Sequence, residues 1–372
     1  RVPDGFADRL VTGGLTQPTA FDFLPGGRVL IVERISARVR LVVNGAFAPV
    51  DPVLAVDSVE SAYGERGLLG IAVDPRWPGS PYVYLQYTAR TGFNQVSRFT
   101  ASGDLDGSGD GLVTLDPASR HDVLRIADVY GIHNGGTVRF GPDSMLYSSQ
   151  GDDGDYCAGQ NVASPYGRIL RMDVRNLPPG PGGPPAPESL APPDNPFAAH
   201  ASAWARLTWV LGLRNPFNFH LDPANGELFI ADVGQETWEE FDWAPAGGMN
   251  FGWGWYEGPL RTLFACAFDS AGSVPPIYSY DHLDSLGRGE SAISAGLYRR
   301  PAGASAPFPA TYEGDYFIAD CYGGWIKRLK RTGDAWSLAP PEPGQPNADT
   351  WAAGFGLIPH YLVGPDGALW SC

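Results

Sequence analysis

The segment GIHNGG (131–136) sets His133 just ahead of two glycines, and the acid-rich loop QGDDGD (150–155) follows one strand later. An imidazole titrates near neutrality, so His133 could take a proton from a hydroxyl group. The flanking glycines would let a ligand come close. The same histidine could equally be a polar residue at the edge of a sheet. A second candidate is Arg214 with Asn215, in GLRNPF (212–217). A guanidinium beside an amide can polarise a carbonyl or hold an oxyanion, or it can simply neutralise nearby acids. The third is the run from 231 to 258, where carboxylates, glycine-flanked carbonyls and aromatics gather. Such oxygens suit calcium. DLDGSGDG (104–111) resembles part of a calcium loop but lacks the spaced terminal Glu, and reads better as an acidic turn.

These residues need a frame, and a recurring unit supplies it. FDFLPGGRVLIVERISARVRLVV (21–43) shows an alternating strand, a Pro/Gly turn, a second strand, a loop and a third strand. Related units begin at 70, 137, 217, 314 and 360. Apolar residues alternate on either side of each turn, so each small sheet has two faces to bury. Sheets of this kind stand only when ringed by others. Six copies predict an all-β, six-bladed β-propeller formed by residues 1–372 as one domain, with a sandwich as the second choice. Loops leaving the second strand of each unit would then converge on one face, with His133, Arg214 and Asn215. The proline-rich stretch 176–197 is expected as an extended excursion between blades, and 208–215 as the lead into the next one.

Composition narrows the partners. The 372 residues carry a net charge of −15, which argues against nucleic acid. No apolar run reaches the ~18 residues of a membrane span. The chain opens at Arg1 with no charged, apolar leader, so an export signal is expected to have been removed or never present. The four cysteines, Cys157, Cys266, Cys321 and Cys372, form no C-x-x-C pair. With only 18% charged residues and many loops, they suggest disulfides and an extracytoplasmic protein, periplasmic or secreted. Cys266 and Cys321 both fall in the fifth-blade region and are expected to pair.

Taken together, several stretches resemble the soluble glucose/sorbosone dehydrogenase family, which includes PQQ-dependent aldose sugar dehydrogenases. They are GERGLLGIAVDP, HNGG, GRILRMDV, PPDNPF and, above all, GLRNPFNFHLDPANGELFIADVGQETWEEFDWAPAGGMNFGWGWYEG. The resemblance runs along nearly the whole chain and implies a six-bladed propeller. It implies that His133 is the general base taking the proton of the sugar C1 hydroxyl, and that Arg214 and Asn215 contact the quinone carbonyls. It also implies calcium held by the carbonyls of Gly234 and Gln235, and a second, structural calcium at Glu240 and the carbonyl of Phe251. Departures matter. Glu65 stands where members carry Gln. Tyr322 stands where a Lys holds the quinone carboxylates, and GLIPHYLVGPDG has none of the expected Arg residues.

The leading expectation is therefore a PQQ- and calcium-dependent oxidoreductase. It would convert an aldose to its lactone and pass electrons to an external acceptor. A non-enzymatic sugar- or protein-binding propeller and a calcium-dependent lactonase are the alternatives.

Overall fold

The computed structural model describes residues 1–264, 266–267, 272–282 and 291–372. The period-2 pattern of the sequence does what it should. In the strand Arg28–Glu33, Leu30 and Val32 enter one core while Val29 and Ile31 enter another. Tyr147 and Leu146, Ile230 and Phe229, and Ile318 and Phe317 are divided in the same way. Each strand thus serves two cores, and each large apolar side chain so buried contributes about 1.5–3 kcal/mol.

The strands form antiparallel meanders. The first sheet runs Pro18–Leu24, Arg28–Glu33, Arg38–Val43 and Ala46–Phe47, with Leu54–Ala55 added to its third strand. The second runs Leu68–Val73, Tyr82–Ala89, Phe93–Gly103 and Val113–Ala127. The third runs Val138–Phe140, Leu146–Gln150, Arg168–Met172 and Thr208–Leu211. The fourth runs Asn218–Leu221, Leu228–Asp232, Trp238–Ala244 and Tyr278–Asp281. The fifth runs Ala292–Leu297, Tyr316–Asp320, Trp325–Thr332 and Ala335–Leu338, with Ala352–Ala353 beside its third strand. Among the described residues a final hairpin, Tyr361–Val363 and Leu369–Ser371, completes the order. Consecutive sheets share a core, and the last hairpin packs Leu362 and Trp370 against Phe21 and Ile31 of the first sheet.

Three expectations need correcting. The proline-rich stretch lies between the third and fourth strands of the third sheet, not between sheets, and Thr208–Leu211 is that sheet's outer strand. Contacts hold the stretch in place: Arg98 donates to the carbonyl of Leu177 at 3.4 Å and also to that of Pro178, and Asp122 N–H donates to the Gly182 carbonyl. The fifth sheet begins at Ala292–Leu297, well before the turn motif that marks it in the sequence. Cys266 pairs with Cys157 across a separation of 109 residues, while Cys321 and Cys372 are free thiols. The acidic loop at 104–111 folds as a turn closed on itself, as expected. Asp104 accepts backbone N–H groups from Gly107, Gly109 and Gly111, and the Arg28 guanidinium bonds the carbonyls of Asp104, Leu105 and Gly111.

Candidate functional site

The candidate residues meet at one end of the second, third and fourth sheets. Some lie on segments entering the first strand of a sheet: Glu65 before Leu68–Val73, His133 before Val138–Phe140, and Arg214 before Asn218–Leu221. Others leave a second strand: Asp152 after Leu146–Gln150, and Asp232 at the end of Leu228–Asp232. Converging loops come from both kinds of segment, where the sequence pointed to only one.

His133 is not on an open loop. It is 7% exposed and held at φ 54°, in the left-handed region that non-glycine residues seldom occupy. The surrounding backbone fits so closely that a Cβ on Gly151 would lie 1.9 Å from the His133 carbonyl oxygen. Nδ1 lies 2.6 Å from Oδ1 of Asp152, a fully buried carboxylate. A carboxylate only accepts, so Nδ1 carries a proton, and in the neutral imidazole Nε2 is then the acceptor. Among the described residues Nε2 has no hydrogen-bond partner. Asp152 is itself fixed: Gly154 N–H donates to Oδ1 at 2.8 Å, and Trp253 Nε1 donates to Oδ2 at 2.8 Å.

Beside this chain sits Arg214, whose guanidinium lies over the Trp253 ring at 5.6 Å and donates to the Val233 carbonyl. The backbone N–H groups of Arg214 and Asn215 both donate to Asp232, at 2.8 and 2.7 Å. Asn215 Oδ1 accepts Gly135 N–H, and its Nδ2 donates to Glu65 Oε2 at 3.3 Å. Glu65 also lies 3.4 Å from Asn134 N–H, so the structure brings Glu65, His133, Arg214 and Asn215 together. Tyr322 is 64% exposed.

Behind Arg214 lies a buried acidic trio. Asp232, Glu240 and Asp242 place carboxylate oxygens within 4.8 Å of one another. Asp232 faces Glu240 across the sheet, and Asp242 follows on the same face. Glu240 accepts Gly258 N–H, but both oxygens of Asp242 lack a hydrogen-bond partner among the described residues. Burial pushes the Asp232 carboxyl up to about 7. Burial, together with the neighbouring acids, raises Glu240 and Asp242 well above the carboxylate range. Three buried acids with so few donors suit a hard cation. The family resemblance pointed to Glu240 as a candidate ligand; Asp232 and Asp242 were not singled out for this role. Gly234 and Gln235 stand on the adjoining loop, whose N–H groups from Gln235 to Trp238 all point at Glu257 Oε1. Burial raises the Glu257 carboxyl, but those four donors win and hold it below its ordinary value. Phe251 is buried in the core between the third and fourth sheets.

Trp253 and Asn134 also escaped the sequence reading. Nothing in NFGWGW shows that an indole will reach a carboxylate 101 residues away.

Comparison with known proteins shows the family. The Glucose / Sorbosone dehydrogenase profile matches residues 15–259, which leaves Tyr322 outside the matched region. An oxidoreductase (glucose dehydrogenase) from Thermus thermophilus is 30% identical, with a TM-score of 0.71, covering 98% of this chain and 92% of that one. The PQQ-bound aldose sugar dehydrogenase of Streptomyces coelicolor is 27% identical, with a TM-score of 0.64, covering 89% and 83%. The HIPL1 protein of Arabidopsis thaliana is 35% identical over 216 residues, 52% of this chain and only 29% of that protein. The chain therefore aligns with about a third of the length of such plant relatives. With the profile matched over most of its length, this chain belongs to the glucose/sorbosone dehydrogenase family.

Proposed function

We propose that the protein is a PQQ- and calcium-dependent sugar oxidoreductase, a single-domain, six-bladed propeller that acts outside the cytoplasm and oxidises an aldose at C1 to the lactone. The observation that carries this reading is the Trp253–Asp152–His133 chain, which leaves Nε2 without a partner among the described residues, in the same cluster as Glu65, Arg214 and Asn215. Bound PQQ would supply the hydride acceptor, and an external acceptor would then take the electrons. His133 Nε2 receives the proton of the C1 hydroxyl, and Asp152 stabilises the imidazolium that results. Trp253 and Gly154 keep Asp152 aimed at Nδ1. Arg214 and Asn215, anchored on Asp232, present fixed donors where negative charge develops.

The residues fit the reacting end of the cofactor. They fit calcium as well, since Asp242 has two orphaned oxygens beside Asp232 and Glu240. We assign the structural cation to that trio. By the family resemblance, the Gly234 and Gln235 carbonyls would hold the cofactor's own calcium, and the Phe251 carbonyl would join Glu240 at the structural one. The cofactor's carboxylates are less well served, because Tyr322 replaces a cation and Glu65 adds negative charge. That feature favours a second reading, a propeller that binds a sugar or protein without oxidising it. Titration of the protein with PQQ and calcium decides. Saturable binding with dye reduction by aldoses supports the oxidoreductase, and binding of sugars without either supports the second reading.

A further inference from the structure

The site is flanked by aromatic surface that the chemistry above does not use. Tyr156 is 39% exposed and stacks on Phe264, with ring centroids 4.4 Å apart and planes 11° from parallel. Both rings meet Trp253 edge-on, at 6.3 and 5.7 Å. Trp253 is the residue that holds Asp152, so the stack stands three contacts away from His133. The stack is clamped. The Cys157–Cys266 disulfide joins the two loops beside it, and a Cβ on Gly254 would lie 2.7 Å from the Tyr156 carbonyl oxygen. On the other bank Tyr130 and Ile132, both exposed, flank Gly154, and Asp153 fixes the N–H groups of Val129 and Tyr130.

A rigid aromatic face left in water next to a polar reacting group asks for a ligand with an apolar face and a polar rim. A pyranose ring has both, with C–H bonds on its faces and hydroxyls around its edge. We propose that Tyr156, stacked on Phe264 and clamped by Cys157–Cys266, is a subsite for a second pyranose ring. The preferred substrate class is then a reducing oligosaccharide whose terminal aldose reaches His133. The subsite rests on the sugar-oxidoreductase reading for the role of that terminal unit.

Two measurements on wild type, Tyr156→Ala and Tyr156→Phe separate the subsite from that reading. The first is kcat/KM for glucose against cellobiose and maltose after loading with PQQ and calcium. The second is calorimetric binding of cellotriose reduced to its alditol, which cannot be oxidised at C1. Tyr156→Ala is expected to lower kcat/KM for the disaccharides, and to weaken alditol binding, by about tenfold, the scale of one aromatic stacking contact. Glucose should change less than about twofold, and Tyr156→Phe should behave as wild type. Equal losses for glucose and disaccharides would make Tyr156 structural and overturn the subsite. So would wild-type protein that turns over glucose but binds the alditol no better than glucose. If no sugar is oxidised yet the alditol binds through Tyr156, the subsite stands and the oxidoreductase reading falls.

Discussion

Asp152→Asn isolates the contribution of the buried carboxylate while keeping its shape. Asp152 makes one charge-assisted bond to His133 Nδ1 at 2.6 Å and is 0% exposed, so water cannot replace it. A hydrogen bond to a charged group is worth about 1.5–3 kcal/mol. The imidazolium exists only after proton transfer, so nearly all of that energy belongs to the transition state. At about 1.36 kcal/mol per decade, kcat should fall on the order of 10- to 150-fold. The single amide oxygen can take only one of the two acceptor positions, Oδ1 facing Gly154 N–H or Oδ2 facing Trp253 Nε1, so some stability is lost as well, while KM should stay near wild type. Steady-state dye reduction reads kcat and KM separately. A kcat within twofold of wild type, or a loss entirely in KM, would refute the role given to Asp152.

Other outcomes follow from the same structure. Calcium at a hundredfold excess over its Kd should stabilise the protein by about 2.7 kcal/mol, seen as a Tm rise of several degrees; Asp242→Asn should abolish most of it, and a Tm indifferent to calcium and chelator would exclude the site. His220 and His360 are buried and lie 3.1 Å from the Arg139 guanidinium, and desolvation and that charge depress both well below the ordinary histidine value. They stay neutral when folded while the unfolded chain protonates near 6.5, so stability should drop as pH falls below about 6.5, by up to about 1.4 kcal/mol per unit for each histidine; urea midpoints at pH 7 and 5 give the sign. Gly151→Ala should cost more than about 1 kcal/mol and displace His133, which thermal melting and turnover report together. Replacing both Cys157 and Cys266 with Ser should cost about 2–5 kcal/mol by denaturant titration, given the long closed loop.

The sheets were legible because alternation is local: Leu30 and Ile31 declare two faces without reference to the rest of the chain. Ala292–Leu297 was not, since a long loop separates it from its partner Tyr316–Asp320 and AISAGL carries no turn signal of its own. At the site, His133 and Arg214 stood out through their neighbours. Their supports did not. Trp253 and Asp152 meet only because loops of the third and fourth sheets converge, and the same convergence pairs Cys157 with Cys266 in place of Cys321. The acidic trio was half legible. Glu240 and Asp242 alternate onto one face, but only the register Asp232↔Glu240 shows that the acids meet.

The role of His133 is the claim on which the functional account turns. The decisive measurement is dye reduction by wild type and His133→Ala, each loaded with PQQ and calcium and matched for cofactor absorbance. Equal loading is expected, with a turnover roughly two to four orders of magnitude lower in the variant. Equal loading with unchanged turnover, or a wild type that takes up no cofactor, would contradict it.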